Sequence, residues 1–109
     1  MSATPPSGNL NNAERFAMAL YRHGVREIFG QSIPVSLMQV AARHGLRQIG
    51  YRAENAGGIM ADGFARISGR IGVVAAQNGP AATLLVAPLA EALKSSIPLL
   101  ALVEEIPAS

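Results

Sequence analysis

The feature that most constrains this chain is a five-residue phrase that occurs twice. Arg22-His23-Gly24-Val25-Arg26 is echoed by Arg43-His44-Gly45-Leu46-Arg47. In each copy the glycine follows apolar residues at helical spacing, where a left-handed residue commonly closes a helix. A short apolar segment comes next and reads as a buried strand. Two successive helix-to-strand units commit the chain to an α/β alternation.

The rest of the chain continues that alternation. Asn11 and Glu14 form a capping box, with Asn11 accepting from the Glu14 amide and the Glu14 side chain reaching back to the Asn11 amide. Phe16, Ala19, Leu20 and His23 follow at helical spacing. A strand is expected over 26–30, then a loop of Gln31-Ser32-Ile33-Pro34 in which the proline restricts the residue before it. A helix follows with Val35, Leu37, Met38 and Ala41 or Ala42, then a strand over 48–51. The third helix is predicted over 53–67, with Ala53, Ala56, Gly57, Met60, Ala61 and Phe64 on one small-to-apolar face and Asn55, Asp62 and Arg66 elsewhere. Ser68-Gly69 ends it, and the continuous apolar run 71–76 suits a strand buried on both faces. Beyond Gln77-Asn78-Gly79-Pro80, one helix is expected over 81–95, kinked or broken at Pro88 because proline removes a hydrogen bond in a helix interior. A fourth strand over 98–103 precedes Glu104-Glu105-Ile106-Pro107, which leaves the sheet. The expected fold is a three-layer αβα arrangement around a mostly parallel sheet, incomplete at four strands, with right-handed crossovers. In such sheets ligands bind beyond the carboxyl ends of the strands.

Composition excludes several functions. With 109 residues, 50% hydrophobic and 15% charged, the chain has the content of one globular domain. Residues 1–10 read as a flexible leader and 11–109 as the domain. Nine basic and seven acidic residues are scattered, and no basic run exists to follow a phosphate backbone. Two tyrosines, three phenylalanines and no tryptophan supply no stacking platform, so nucleic-acid binding is not expected. Cysteine is absent, which removes disulfides and thiolate chemistry. The leader lacks the cationic and apolar regions of a signal peptide, and the weakly polar stretch 80–93 falls short of the roughly 20 apolar residues of a membrane span. A soluble, cytoplasmic protein with no membrane partner is expected.

Few residues suggest chemistry on their own. Glu54 opens the third helix directly after a strand, where the helix dipole favours an acidic residue by about 0.3–1 kcal/mol without any catalytic role. The adjacent Gly57-Gly58 pair is harder to dismiss, since each glycine inside a helix costs about 1 kcal/mol relative to alanine. A packed strand, a partner helix or a cofactor must approach that backbone closely. His23 and His44 precede helix-closing glycines, where partial positive charge is favourable, and no third ligand lies near either, so no metal site is expected. Gly79-Pro80 is compatible with an anion-cradling turn, while Gly30-Gln31-Ser32-Ile33-Pro34 lacks the dinucleotide fingerprint of G-x-G-x-x-G.

Taken together, Arg52-Ala53-Glu54-Asn55-Ala56-Gly57-Gly58-Ile59-Met60-Ala61-Asp62-Gly63-Phe64-Ala65-Arg66-Ile67-Ser68-Gly69, then Gly72-Val73 and Asn78-Gly79-Pro80, resemble the N-terminal, pyrimidine-binding domain of thiamine diphosphate-dependent enzymes of the acetolactate synthase and benzoylformate decarboxylase group. The family pattern is a glutamate, A-x-x-M-A-x-G-Y-A-R-x-(S/T)-G, a G-V strand and a G-P-G turn. The resemblance spans roughly 12–103, including the Phe29-Gly30 strand end and Ser96-Ile97-Pro98-Leu99.

The resemblance implies a thiamine diphosphate-dependent carboligase or decarboxylase acting on a 2-oxo acid, of which this chain is a front part, inactive alone. The cofactor would lie between two chains of a homodimer, its aminopyrimidine on this domain and its diphosphate and Mg2+ on a separate C-terminal domain. Glu54 would share a proton with the pyrimidine nitrogen and so activate the ring, while Gln31, Asn78, Gly79 and Pro80 would line its pocket. The chain departs from the family at Ala53, often His, at Ala81 in place of the last glycine of G-P-G, at Leu84 where many synthases have Asn, and at Glu104-Glu105 in place of Gly-Gln. The alternatives are a non-catalytic interaction or cofactor-binding module derived from this domain, and an unrelated α/β nucleotide-binding protein.

Overall fold

The computed structural model of the chain describes residues 11–104. The expected leader over 1–10 and Glu105-Ile106-Pro107 lie outside the described residues. Helix α1 (Asn12–Arg22) begins at Asn11, whose side chain accepts from the Glu14 amide at 2.8 Å. It leads through Gly24, at φ 89°, into strand β1 (Glu27–Phe29). Helix α2 (Val35–Ala41) continues into a 3-10 turn (Ala42–His44), closed by left-handed Gly45, and strand β2 (Arg47–Ile49) follows. Helix α3 (Glu54–Ser68) crosses to strand β3 (Gly72–Gln77). Helices α4 (Pro80–Thr83) and α5 (Val86–Lys94) then lead to strand β4 (Leu99–Glu104).

All four strands are parallel in the order β2-β1-β3-β4, so β1 and β3 are central. Alternation along them divides the core into two layers, since successive strand residues point to opposite faces. Ile28, Val73 and Ala75 face α1 and α2, meeting Ala17, Leu20, Leu37 and Val40. Phe29, Val74 and Ala76 face the other side, with Ala61 of α3 and Leu85 at the start of α5. Ile28, Val73 and Val74 are fully shielded, and each such side chain contributes about 1.5–3 kcal/mol by leaving water. The expected three-layer αβα fold with a parallel sheet is the one observed.

Three local expectations are corrected. The single helix over 81–95 is two helices, and the break falls at Leu84 and Leu85 instead of at Pro88. Restarting at Val86 places Pro88 in the first turn, where an amide has no intrahelical acceptor and its loss is harmless. The buried stripe of α3 is Gly57, Gly58, Ala61, Asp62 and Ala65, while Ala56 and Met60 are exposed. Asp62 is thus drawn into the buried side, where Arg66 one turn later pairs with it. Finally, Glu14 does not reach back to Asn11. Its carboxylate is 1% exposed and is bonded by the Arg43 guanidinium and the His44 ring. His44 therefore pins the 3-10 turn to α1, a stronger role than charge complementarity at a helix end.

The close approach implied by Gly57-Gly58 comes from within the chain. A methyl group on Gly57 would overlap the Tyr51 ring, and one on Gly58 would stand 2.5 Å from Pro88 Cγ. On the sheet beneath, a methyl on Gly72 would overlap the Ala61 carbonyl. Helix α3 therefore lies with its backbone almost directly on β3 and α5.

Candidate functional site

The carboxyl ends of the strands gather Gly30-Gln31, the turn from Gly50 to Glu54, and Gln77-Asn78-Gly79-Pro80 on one rim. The chain leaves β1 toward the α1/α2 layer and leaves β3 toward the α3/α5 layer. The two departures diverge between neighbouring strands, which is where open parallel sheets form a crevice.

Glu54 is the first residue of α3, half-buried, at the positive end of a helix of 15 residues. Among the described residues its carboxylate makes no hydrogen bond or ion pair. Its charge is nevertheless felt nearby. The Tyr51 hydroxyl is raised above its ordinary pKa of 10.0, first by burial and then by the negative charge of Glu54. Tyr51 donates to the Ala75 carbonyl at 2.6 Å and so ties the turn after β2 to β3.

Gln31 lies on the same rim, and its Nε2 donates to the Tyr51 carbonyl at 2.6 Å and to the Arg52 carbonyl at 3.3 Å. Sequence reasoning placed Gln31 beside a ligand and took Tyr51 only as the end of a strand. The hydrogen bonds join β1 to the Glu54 turn across 20 residues of chain, a separation that no local spacing reveals. Asn78 is half-buried, and Gly79 adopts φ 76° and ψ −134°, a conformation essentially restricted to glycine. Pro80 occupies the first position of α4, where a missing amide hydrogen is not needed. A methyl on Gly79 would meet no atom within 4 Å, so the backbone beside it is open.

The rim thus presents a half-buried carboxyl group without a partner among the described residues and, at Gly79, open backbone. Away from the rim, a groove of about 320 Å3 between α3 and α5 is lined by Ile59, Asp62, Gly63, Arg66, Pro88 and Glu91, none of them a sequence-derived candidate. Among the described residues no group of three or more His, Cys, Asp or Glu side chains is placed to hold a metal ion. No described helix is long and apolar enough to cross a membrane.

A doubly wound parallel sheet with a free acid at its carboxyl rim defines an α/β ligand-binding domain. The chain belongs to the family described as thiamine pyrophosphate enzyme, N-terminal TPP binding domain, whose profile matches residues 10–109. A sulfoacetaldehyde acetyltransferase of Rhodobacter capsulatus is 37% identical over 93 residues, covering 84% of this chain and 16% of that protein. An acetolactate synthase of Arthrospira platensis is 36% identical over 97 residues, 84% of this chain and 17% of the relative. The chloroplastic acetolactate synthase of Arabidopsis thaliana is 34% identical over 110 aligned positions, 98% of this chain and 16% of the relative. The chain thus spans about one sixth of the length of these relatives.

Proposed function

We propose that this chain holds the aminopyrimidine end of thiamine diphosphate, with Glu54 as its proton-exchanging acid, within an acetolactate synthase-like carboligase or decarboxylase acting on 2-oxo acids. The observation that carries the reading is a half-buried carboxylate without a partner among the described residues, at the start of α3 on the carboxyl rim. Its protonated form would donate to a ring nitrogen. Gln31, Asn78, Gly79 and Pro80 surround the proposed ring position, with the open Gly79 backbone giving a flat ring room. The bound cofactor supplies the electron sink for decarboxylation. The protein's part would be to hold the ring and to pass a proton between the ring nitrogen and Glu54. Diphosphate and Mg2+ would be held by a separate domain, so residues 1–109 alone would be inactive.

The same reading includes a cytoplasmic setting and a second copy of the enzyme, or its C-terminal domain, across a dimer interface. Exposed Ile59, Met60 and Ile67 along the outer side of α3 support that contact. The deciding experiment, in the intact enzyme that contains this domain, compares Glu54→Gln with the parent for exchange of the C2 proton of bound thiamine diphosphate, followed by NMR. A fall of about 10²- to 10⁴-fold, the usual worth of acid–base help, is expected. Exchange at the parent rate would remove Glu54 from the mechanism.

A further inference from the structure

The turn that carries Glu54 has no cap of its own. Ala53 stands at the N-cap of α3 and offers no side-chain acceptor to the first-turn amides, where Ser, Thr, Asp or Asn usually does so. What fixes this turn comes from other strands. Gln31, two residues beyond β1, presents its Nε2 to the carbonyls of both Tyr51 and Arg52. The Gly30 amide donates to the Ile49 carbonyl at 2.9 Å, which brings the loop after β1 alongside the chain leaving β2. Tyr51 is held in turn by its hydroxyl on Ala75 and its ring against Gly57.

The loop bearing Gln31 is itself held in a demanding shape. Ser32 lies in the left-handed region, with φ 70°, an uncommon conformation for a residue other than glycine. Such a loop keeps its form only when its surroundings impose it. The Gln48 side chain, reaching Ser32 Oγ at 3.4 Å, and the Gln31 amide are the side-chain bonds that tie it to the β2 side.

We propose that Gln31 is a positioning residue for Glu54: its amide clamps the two carbonyls that precede α3, and so sets where the carboxyl group stands. The functional half of this proposal rests on the thiamine diphosphate reading, and the clamp itself does not. Gln31 acts through donation, because both of its acceptors are backbone oxygens. A side chain of the same length without a donor must therefore fail, and a different side chain with a donor must restore the clamp.

The test uses Gln31→Glu, which keeps length and loses the donor, and Gln31→Lys, which regains one, both in the full chain. Amide hydrogen exchange is read at Gly57, whose amide makes the first hydrogen bond of α3 to the Ala53 carbonyl at 2.9 Å. Loss of one net hydrogen bond should accelerate Gly57 exchange about fivefold in Gln31→Glu, with the β3 amides unchanged and Gln31→Lys near the parent rate. Unchanged Gly57 exchange in Gln31→Glu, or equal acceleration throughout β3, overturns the clamp. In the intact enzyme that contains this domain, loaded with thiamine diphosphate, C2-proton exchange should fall with Gln31→Glu and recover with Gln31→Lys. If Glu54→Gln blocks that exchange while Gln31→Glu leaves it at the parent rate, the positioning role is overturned and the reading survives. If Glu54→Gln changes nothing, the reading fails, and Gly57 still decides the clamp.

Discussion

Two of the described helices carry a glutamate in their first turn, and the two side chains have opposite surroundings. Glu14, in α1, is buried, with one oxygen bonded by Arg43 and the other by His44. Glu54, in α3, is half-buried and has no bonded partner among the described residues. The helix starts differ in the same sense. Asn11 caps α1 with its own side chain, whereas α3 begins at an uncapped Ala53 and depends on groups from β1 and β3. A carboxylate with both oxygens engaged holds elements together, and one left without partners is available to a ligand. Both residues satisfy the helix dipole equally well, so the dipole does not distinguish them. The side chains around them do, since Arg43 and His44 bond Glu14.

The largest expected difference is in chemistry. Glu54→Gln should reduce cofactor C2-proton exchange by about 10²- to 10⁴-fold with near-UV circular dichroism unchanged, while Glu14→Gln should leave exchange in the folded protein at the parent rate. The contrast breaks if the two variants lose exchange equally.

Stability should show the reverse order. Arg43, then His44, hold the Glu14 carboxyl below its ordinary pKa of 4.5. A depressed carboxyl stabilises the fold fully above the unfolded value and loses that contribution as pH falls through the folded one. Melting temperature should therefore drop on acidification below about pH 4.5, and Glu14→Gln should lower the plateau and flatten that acid limb. An unchanged limb would mean that other carboxyl groups govern acid unfolding.

Gly57→Ala sharpens the comparison at the α3 end. The added methyl overlaps the Tyr51 ring, and overpacking of this kind costs about 1–3 kcal/mol in chemical denaturation. Displacing Tyr51 should also return its hydroxyl pKa toward 10.0, which a spectrophotometric titration would follow. The smallest effects belong to the helix starts. Asn11→Ala should cost about 1 kcal/mol, read from the urea midpoint. Ala53→Gly, which removes no side-chain acceptor from α3, should cost less than that.

The parts of the fold legible in the sequence were those set by local chemistry. Gly24, Gly45 and Gly69 mark helix ends because they adopt positive φ, and the run 71–76 was readable as a strand because both faces of β3 are buried. The break before α5 was placed too late, since residues 82–89 continue an apolar helical pattern. The restart at Val86 puts Pro88 in the first turn and packs it on Gly58, a contact no local pattern announces. Gly57-Gly58 announced that something approaches closely, but Tyr51 and Pro88 could not be chosen over a cofactor without the tertiary arrangement. The partners of Glu14 lie 29 and 30 residues away and those of Gln31 lie 20 and 21 away, beyond any helical or strand period. The family resemblance supplied Glu54 as a candidate, and the structure adds the rim and the bonds around it.

The nearly bare backbone contact of α3 has a mechanical consequence. Gly57 against Tyr51, Gly58 against Pro88 and the Ala61 carbonyl against Gly72 act as three dowels along one rod. Sliding the rod by one residue would bring the β-carbon of Ala56 or of Ile59 into the place of a glycine, which disfavours any other seating. Gly72 belongs to none of the rim turns, yet a methyl there should lift the rod and carry its acidic tip with it. The tip can therefore be retuned from the opposite end of β3, with every rim residue left in place.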